Sequence, residues 1–103
     1  MKNREIDNAV LAEVQQRIGR LIDTDSADLL AMPSEHLENL DVGGKTLKLG
    51  TYRDPLPTGE TLIIVQCKNE RFLGYGNMIA EGVVVDKSGR KRPAEQELMW
   101  EYV

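Results

Sequence analysis

Gly43-Gly-Lys-Thr46 carries the residue types that close a phosphate-binding loop. In such a loop, glycine amides cradle the phosphates, the lysine reaches them and the threonine holds magnesium. The pattern needs another glycine five residues before Gly44, and Asn39 stands there. It also needs a helix to follow, with its N-terminal N–H groups facing the anion, whereas the residues after Lys45 alternate as a strand does. A turn is predicted here, without a nucleotide.

Asp23-Thr-Asp25-Ser-Ala-Asp28 offers the oxygen ligands that begin a calcium loop. It departs from that pattern at its fifth position (Ala27), its sixth (Asp28, where glycine makes the bend) and its twelfth (Ser34, where a bidentate Glu belongs). Capping of a following helix explains these side chains better. His36 is the only histidine, between Glu35 and Glu38, and no HxxxH, HExxH or Cys–His spacing accompanies it. Cys67, the only cysteine, ends the most apolar segment on the side of Ile63 and Val65 and reads as a small buried hydrophobe rather than a nucleophile. The sequence thus predicts no catalytic residue, no metal ligand set and no cofactor.

The elements that position these residues follow from periodicity. Ile6, Val10, Val14, Ile18 and Ile22 recur every four residues, with Leu11 and Leu21 beside them, which predicts an amphipathic helix over 4–23. Gly19 within it suggests close approach to something packed underneath. A short helix over 27–32 and another short helical turn over 35–40 follow, separated by Pro33, with Leu29, Leu30, Leu37 and Leu40 as anchors. Asp41-Val-Gly-Gly44 is a turn that ends the helical part, residues 4–40.

From Lys45 the period becomes two. Strands are predicted over 45–53, 61–68 and 71–86, with hairpin connections at 68–70 and 87–90. The tail from 97 to 103 alternates Leu98, Trp100 and Tyr102 and is read as a fourth strand, with a helix after Pro93 as the competing reading. The expected fold is a single α+β domain over 1–103, its helices followed by a curved four-stranded antiparallel meander, residues 45–103, packed on the long helix.

The stretch 71–86 sorts into two faces. Phe72, Gly74, Gly76, Met78, Ala80, Gly82 and Val84 form a smooth apolar face, assigned to the core beneath the first helix. Leu73, Tyr75, Ile79, Glu81, Val83 and Val85 form the other, more apolar than an open sheet face usually is, and are read as the interaction surface. A bulge between Met78 and Gly82 would exchange the faces.

The charge balance is −4, with Asp23, Asp25, Asp28, Glu35, Glu38 and Asp41 between Leu21 and Gly44 and Lys87, Arg90, Lys91 and Arg92 crowded near one loop. An acidic chain with one basic loop fits nucleic acid poorly. The loop reads first as a solvated hairpin tip whose charges discourage edge pairing. No apolar run approaches a membrane span and the lone cysteine forms no intrachain disulfide, so a cytoplasmic protein is expected. These features predict a small acidic, non-enzymatic interaction module that binds a protein partner or a second copy through the open sheet face or the acidic region. The competing reading is a small-molecule binding protein or enzyme, with a pocket between sheet and helices drawn from His36, Tyr75, Glu81, Trp100 and Glu101.

Overall fold

A long helix lies across an antiparallel sheet whose strands are ordered as they occur in the chain. The computed structural model describes residues 3–70 and 76–99. Among these, the helices are α1 (Asn3–Ile22), α2 (Ser26–Leu30) and α3 (Gln96–Met99). The strands are β1 (Glu35–Val42), β2 (Lys45–Pro55), β3 (Thr61–Glu70), β4 (Gly76–Val85) and β5 (Lys91–Pro93), in sheet order β1-β2-β3-β4-β5. The α+β class and the meander agree with the expectation, and the sheet has five strands rather than four. No helix among the described residues is long and apolar enough to cross a membrane.

The four-residue repeat of α1 buries Ile6, Val10, Val14 and Ile18. Each step of four advances the stripe by about 40° around the helix. By Ile22 the repeat has rotated off the core, and that residue is 45% exposed while Leu21 packs in its place. Gly19 has nothing within 4 Å of where a side chain would begin, so no close approach explains it. The helix ends where Thr24 Oγ1 donates to the Arg20 carbonyl and Lys91 Nζ donates to the carbonyls of Ile22 and Thr24. A cation at the C-terminal carbonyls also complements the helix dipole.

The segment expected as a helical turn over 35–40 is instead β1. Its local propensity for helix loses to pairing imposed by Gly43 and Gly44, whose φ angles are 57° and 78°. Two successive positive φ values make a two-residue hairpin turn, and glycine adopts them without strain. The turn zips β1 onto β2 from Val42↔Lys45 to Glu35↔Tyr52, placing Leu40 and Val42 under the helix. Arg53 secures the far end, its backbone N–H donating to the Ser34 carbonyl and its Nε to that of Met32. Asp25 takes the N-cap place of α2 without a side-chain capping bond.

Strand β4 pairs with β3 without interruption from Thr61↔Val85 to Glu70↔Gly76, so no bulge exchanges its faces. The part of the expected strand at 71–75 lies outside the described residues. The face assignment was reversed. Ile79, Glu81, Val83 and Val85 share the α1 side with Cys67, Val65 and Ile63, and Val83 is fully buried in the helix-side core. That face carries more branched apolar surface, so burying it against the α1 stripe gains more than burying glycines would. The smooth face takes the C-terminal segment instead. Leu62, Ile64 and Val84 pack there with Met99, flanked by Leu56, Ala94 and Leu98.

Gly82 is what lets that segment come so near. A Cβ at Gly82 would stand 2.8 Å from Met99 Sδ, 3.1 Å from Ala94 Cβ and 3.3 Å from the Ile63 carbonyl oxygen. The tail expected as a strand begins as α3, and 100–103 lie outside the described residues. Two glycine substitutions should therefore have opposite signs in urea denaturation. Gly82→Ala is expected to cost about 1–3 kcal/mol by overpacking. Gly19→Ala, in open space on a helix, is expected to add about 0.5–1 kcal/mol. Equal responses at the two positions would contradict this packing.

Candidate functional site

The chemistry-bearing residues are mostly engaged in holding the fold. Lys45, the lysine of the phosphate-loop-like stretch, donates from Nζ to Asn69 Oδ1 at 2.8 Å, and Asn69 Nδ2 donates to Asp7 Oδ1 at 2.7 Å. Asn69 is fully buried, so this chain of bonds offsets the desolvation of its amide and ties α1, β2 and β3 at one level. Nothing in the local sequence around Asn69 marks it, because its partners are 24 and 62 residues away.

The basic loop is similarly used. Besides Lys91 on the end of α1, Arg92 joins Glu60 at 2.6 Å and Glu95 at 2.9 Å, holding the turn before β3 against the approach to α3. Asp86 organises the β4–β5 turn through Ser88 and Arg90, and Ser26 Oγ donates to the Gly89 carbonyl across it. Lys87 passes beside Gly59, and Arg90 is exposed. Lys91 and Arg92 are fold-stabilising cations, and Lys87 and Arg90 are the exposed members of the four.

His36 and Glu81 do not converge. His36 stands on β1, 59% exposed, with Nε2 3.6 Å from Glu38 Oε2. It borders a hollow of about 250 Å³ with Arg17, Arg20 and Met32. Arg17 is shared between Glu13 and Glu38. Burial opposes its charge, but the hydrogen bonds it donates to the two carboxylates outweigh that, and the guanidinium is held above its ordinary pKa. Glu81 lies three strands away on β4, where Gln15 Nε2 approaches it at 3.5 Å. Glu81 borders a hollow of about 440 Å³ with Ala80, Gly82, Pro93, Ala94, Gln96 and Met99. Tyr75, Trp100 and Glu101, like Leu73 of the expected interaction face, lie outside the described residues. Cys67 is buried, and burial pushes its thiol up, away from the reactive thiolate. Among the described residues, no three His, Cys, Asp or Glu side chains gather as a metal site.

Among the described residues, the outer edge of β1 carries backbone groups with no partner in the sheet. The Arg53 N–H to Ser34 carbonyl bond sets the parity of the ladder, so even-numbered residues of β1 direct their backbone groups toward β2. The N–H and C=O groups of Glu35, Leu37, Asn39 and Asp41 therefore face away from the sheet. Those four side chains are exposed on the face opposite α1, and Leu37, at 50%, is the most exposed large apolar residue among those described. On the helix side the strand presents His36 and Glu38. Among the described residues, β5 pairs only with Val83–Val85, so the unpaired span of the β4 edge is shorter than that of β1. Sequence reasoning missed the β1 edge because it placed these residues in a helix; the Gly-Gly turn before an alternating strand was the signal that pointed to it.

No family model matches the chain, and neither a curated protein nor a solved structure does.

Arg92 makes a pH dependence follow. Its hydrogen bonds hold Glu60 and Glu95 below the usual carboxylate range, and Ser88 and the Arg90 backbone do the same for Asp86. A carboxyl group depressed in the folded state stabilises above its unfolded pKa, and the contribution is lost as pH falls through the folded value. Resistance to urea should thus decline as the solution is acidified below about pH 4.5. The decline should be shallower in Arg92→Gln, which removes the largest cause of the depression at Glu60 and Glu95 and leaves Asp86 as it is; identical pH profiles would contradict the assignment.

Proposed function

We propose that this protein is a non-enzymatic interaction module that takes up an extended polypeptide strand along the outer edge of β1. The observation that carries this reading is the row of outward N–H and C=O groups on Glu35, Leu37, Asn39 and Asp41. Such an edge is a template for strand addition, in which main-chain bonds supply affinity and alternate side chains supply selectivity. The acidic residues expected to form a helical docking face contribute here as Glu35 and Asp41 on one side of the strand and Glu38 on the other. The Val83 and Val85 face is not part of this reading, because α1 covers it.

A small-molecule site is the second reading, favoured by the hollow beside Glu81. Its volume of about 440 Å³ lies in the range that small ligands occupy. Strand addition is preferred because Glu81 directs its carboxylate to the α1 side, toward Gln15, which leaves Gln96 as the polar side chain beside Ala80, Gly82, Pro93, Ala94 and Met99, without a nucleophile beside a base.

Proline substitution tests the edge with unusual selectivity. At Leu37 or Asn39 it removes only an outward N–H, which edge strands tolerate, whereas at Glu38 it removes a bond to β2. Glu38→Pro should lower stability by about 3 kcal/mol or more. Leu37→Pro and Asn39→Pro should keep the wild-type circular dichroism and a cooperative melt. In parallel pull-downs at low salt, polypeptides retained by the wild type should be lost from both edge variants. Equal retention by the wild type and the folded edge variants would refute the reading.

A further inference from the structure

We infer that the strand this edge accepts is β1 of a second copy, paired antiparallel about a two-fold axis at Leu37. The inference rests on reading β1 as the binding edge and names its occupant. An isologous contact requires the surface to be complementary to itself, which few strands satisfy. Because only odd-numbered residues direct backbone groups outward, the registers available for self-pairing can be enumerated.

A dyad at Glu38 sets Glu38 against its own copy and Glu35 against Asp41, placing like charges directly opposite. A dyad at Asn39 sets Leu37 against Asp41, and one at His36 sets Leu37 against Glu35, so both leave the exposed leucine facing a carboxylate; one at Leu40 sets Leu37 against Gly43, past the end of the strand and without an apolar partner. A dyad at Leu37 resolves each conflict. Leu37 meets Leu37 on the outer face, Glu35 meets Asn39 twice, and on the helix side His36 meets Glu38 twice. Imidazole can donate a hydrogen bond to a carboxylate whether or not it is protonated. Glu38 has the oxygen to accept it, since Oε1 is held by Arg17 while Oε2 turns toward His36.

The backbone completes the match. Leu37 with Leu37 and the two Glu35–Asn39 pairs are all of the hydrogen-bonded kind, giving about six N–H···O bonds across the axis. One sheet then runs through both copies with the two α1 helices on the same side. There is room for this, because α1 packs mainly over β3 and β4 rather than at the β1 edge. Edge pairing alone buries less surface than permanent dimers do, so the association should be reversible and concentration-dependent.

Sedimentation of the full chain across a concentration series should show the weight-average mass rising toward that of a dimer. Leu37→Pro should weaken the dissociation constant at least about tenfold. Cysteine cross-linking reads the register directly, and buried Cys67 stays out of it. Under mild oxidation Leu37→Cys should form a covalent dimer, since the paired Cα atoms would be about 5.5 Å apart, within disulfide range. Asn39→Cys alone should not, its two copies being about 13 Å apart. Asn39→Cys mixed with Glu35→Cys should cross-link as a heterodimer.

A mass that stays monomeric at every concentration, or cross-linking at Asn39 as efficient as at Leu37, would overturn the second-copy assignment. Loss of pull-down partners from Leu37→Pro in that case would still support the edge with a different occupant. Retention of them would remove the edge reading as well.

Discussion

The seating of Val10, Val14 and Ile18 against Val65 and Val83 constrains everything else in the molecule. A strand has two faces and only one can lie under the helix, so burying the branched side fixes the orientation of every paired strand. The glycine-rich side then faces the other way, where it needs a cover of its own. The C-terminal segment provides one by crossing Gly82, which brings Met99 onto Leu62, Ile64 and Val84. The sheet is thus covered by a long helix on one face and a short apolar segment on part of the other. Among the described residues, the outer edge of β1 is left unpaired as well.

The same parity explains what was readable in the residues and what was not. The four-residue repeat of α1 and the two-residue alternation of β2 and β3 are local signals, and each element formed near where it was expected. The identity of the buried face of β4 was not local. Smoothness at Gly76, Ala80 and Gly82 suggested close approach by a helix, but the partner making the close approach was the chain beyond β5. Strand β1 was hidden for a different reason. Glu-His-Leu-Glu-Asn-Leu has ordinary helix propensity, and only the pairing that starts at Gly43-Gly44 makes it extended. Of the site residues, His36 and Glu81 were visible as residue types, yet their separation by three strands depended on having β1 in the sheet. Asn69 carried no signal at all.

The charge distribution also changed meaning once the fold was known. Arg92, Lys91, Lys45 and Arg17 each bridge elements distant in sequence. Their cost in desolvation and side-chain entropy is offset by partners that are carboxylates, helix-end carbonyls or, for Lys45, the Asn69 amide oxygen. The basic loop, expected as a solvated hairpin tip, is a clasp between the end of α1 and the start of β5. The acidic excess remains on the surface, where it limits indiscriminate pairing of the β1 edge with other chains.

The long reach of these ties has a kinetic side. Asp7 meets Asn69 across 62 residues, and Lys91 caps α1 across 69. Contacts this remote in sequence form only after large loops close, and topologies rich in them fold slowly for their size. The helix itself, with Gly19 near its end, is marginal before it packs. Its apolar stripe gains its cover from β3 and β4, so the surface that most needs the completed sheet is the stripe of α1 rather than the edge of β1.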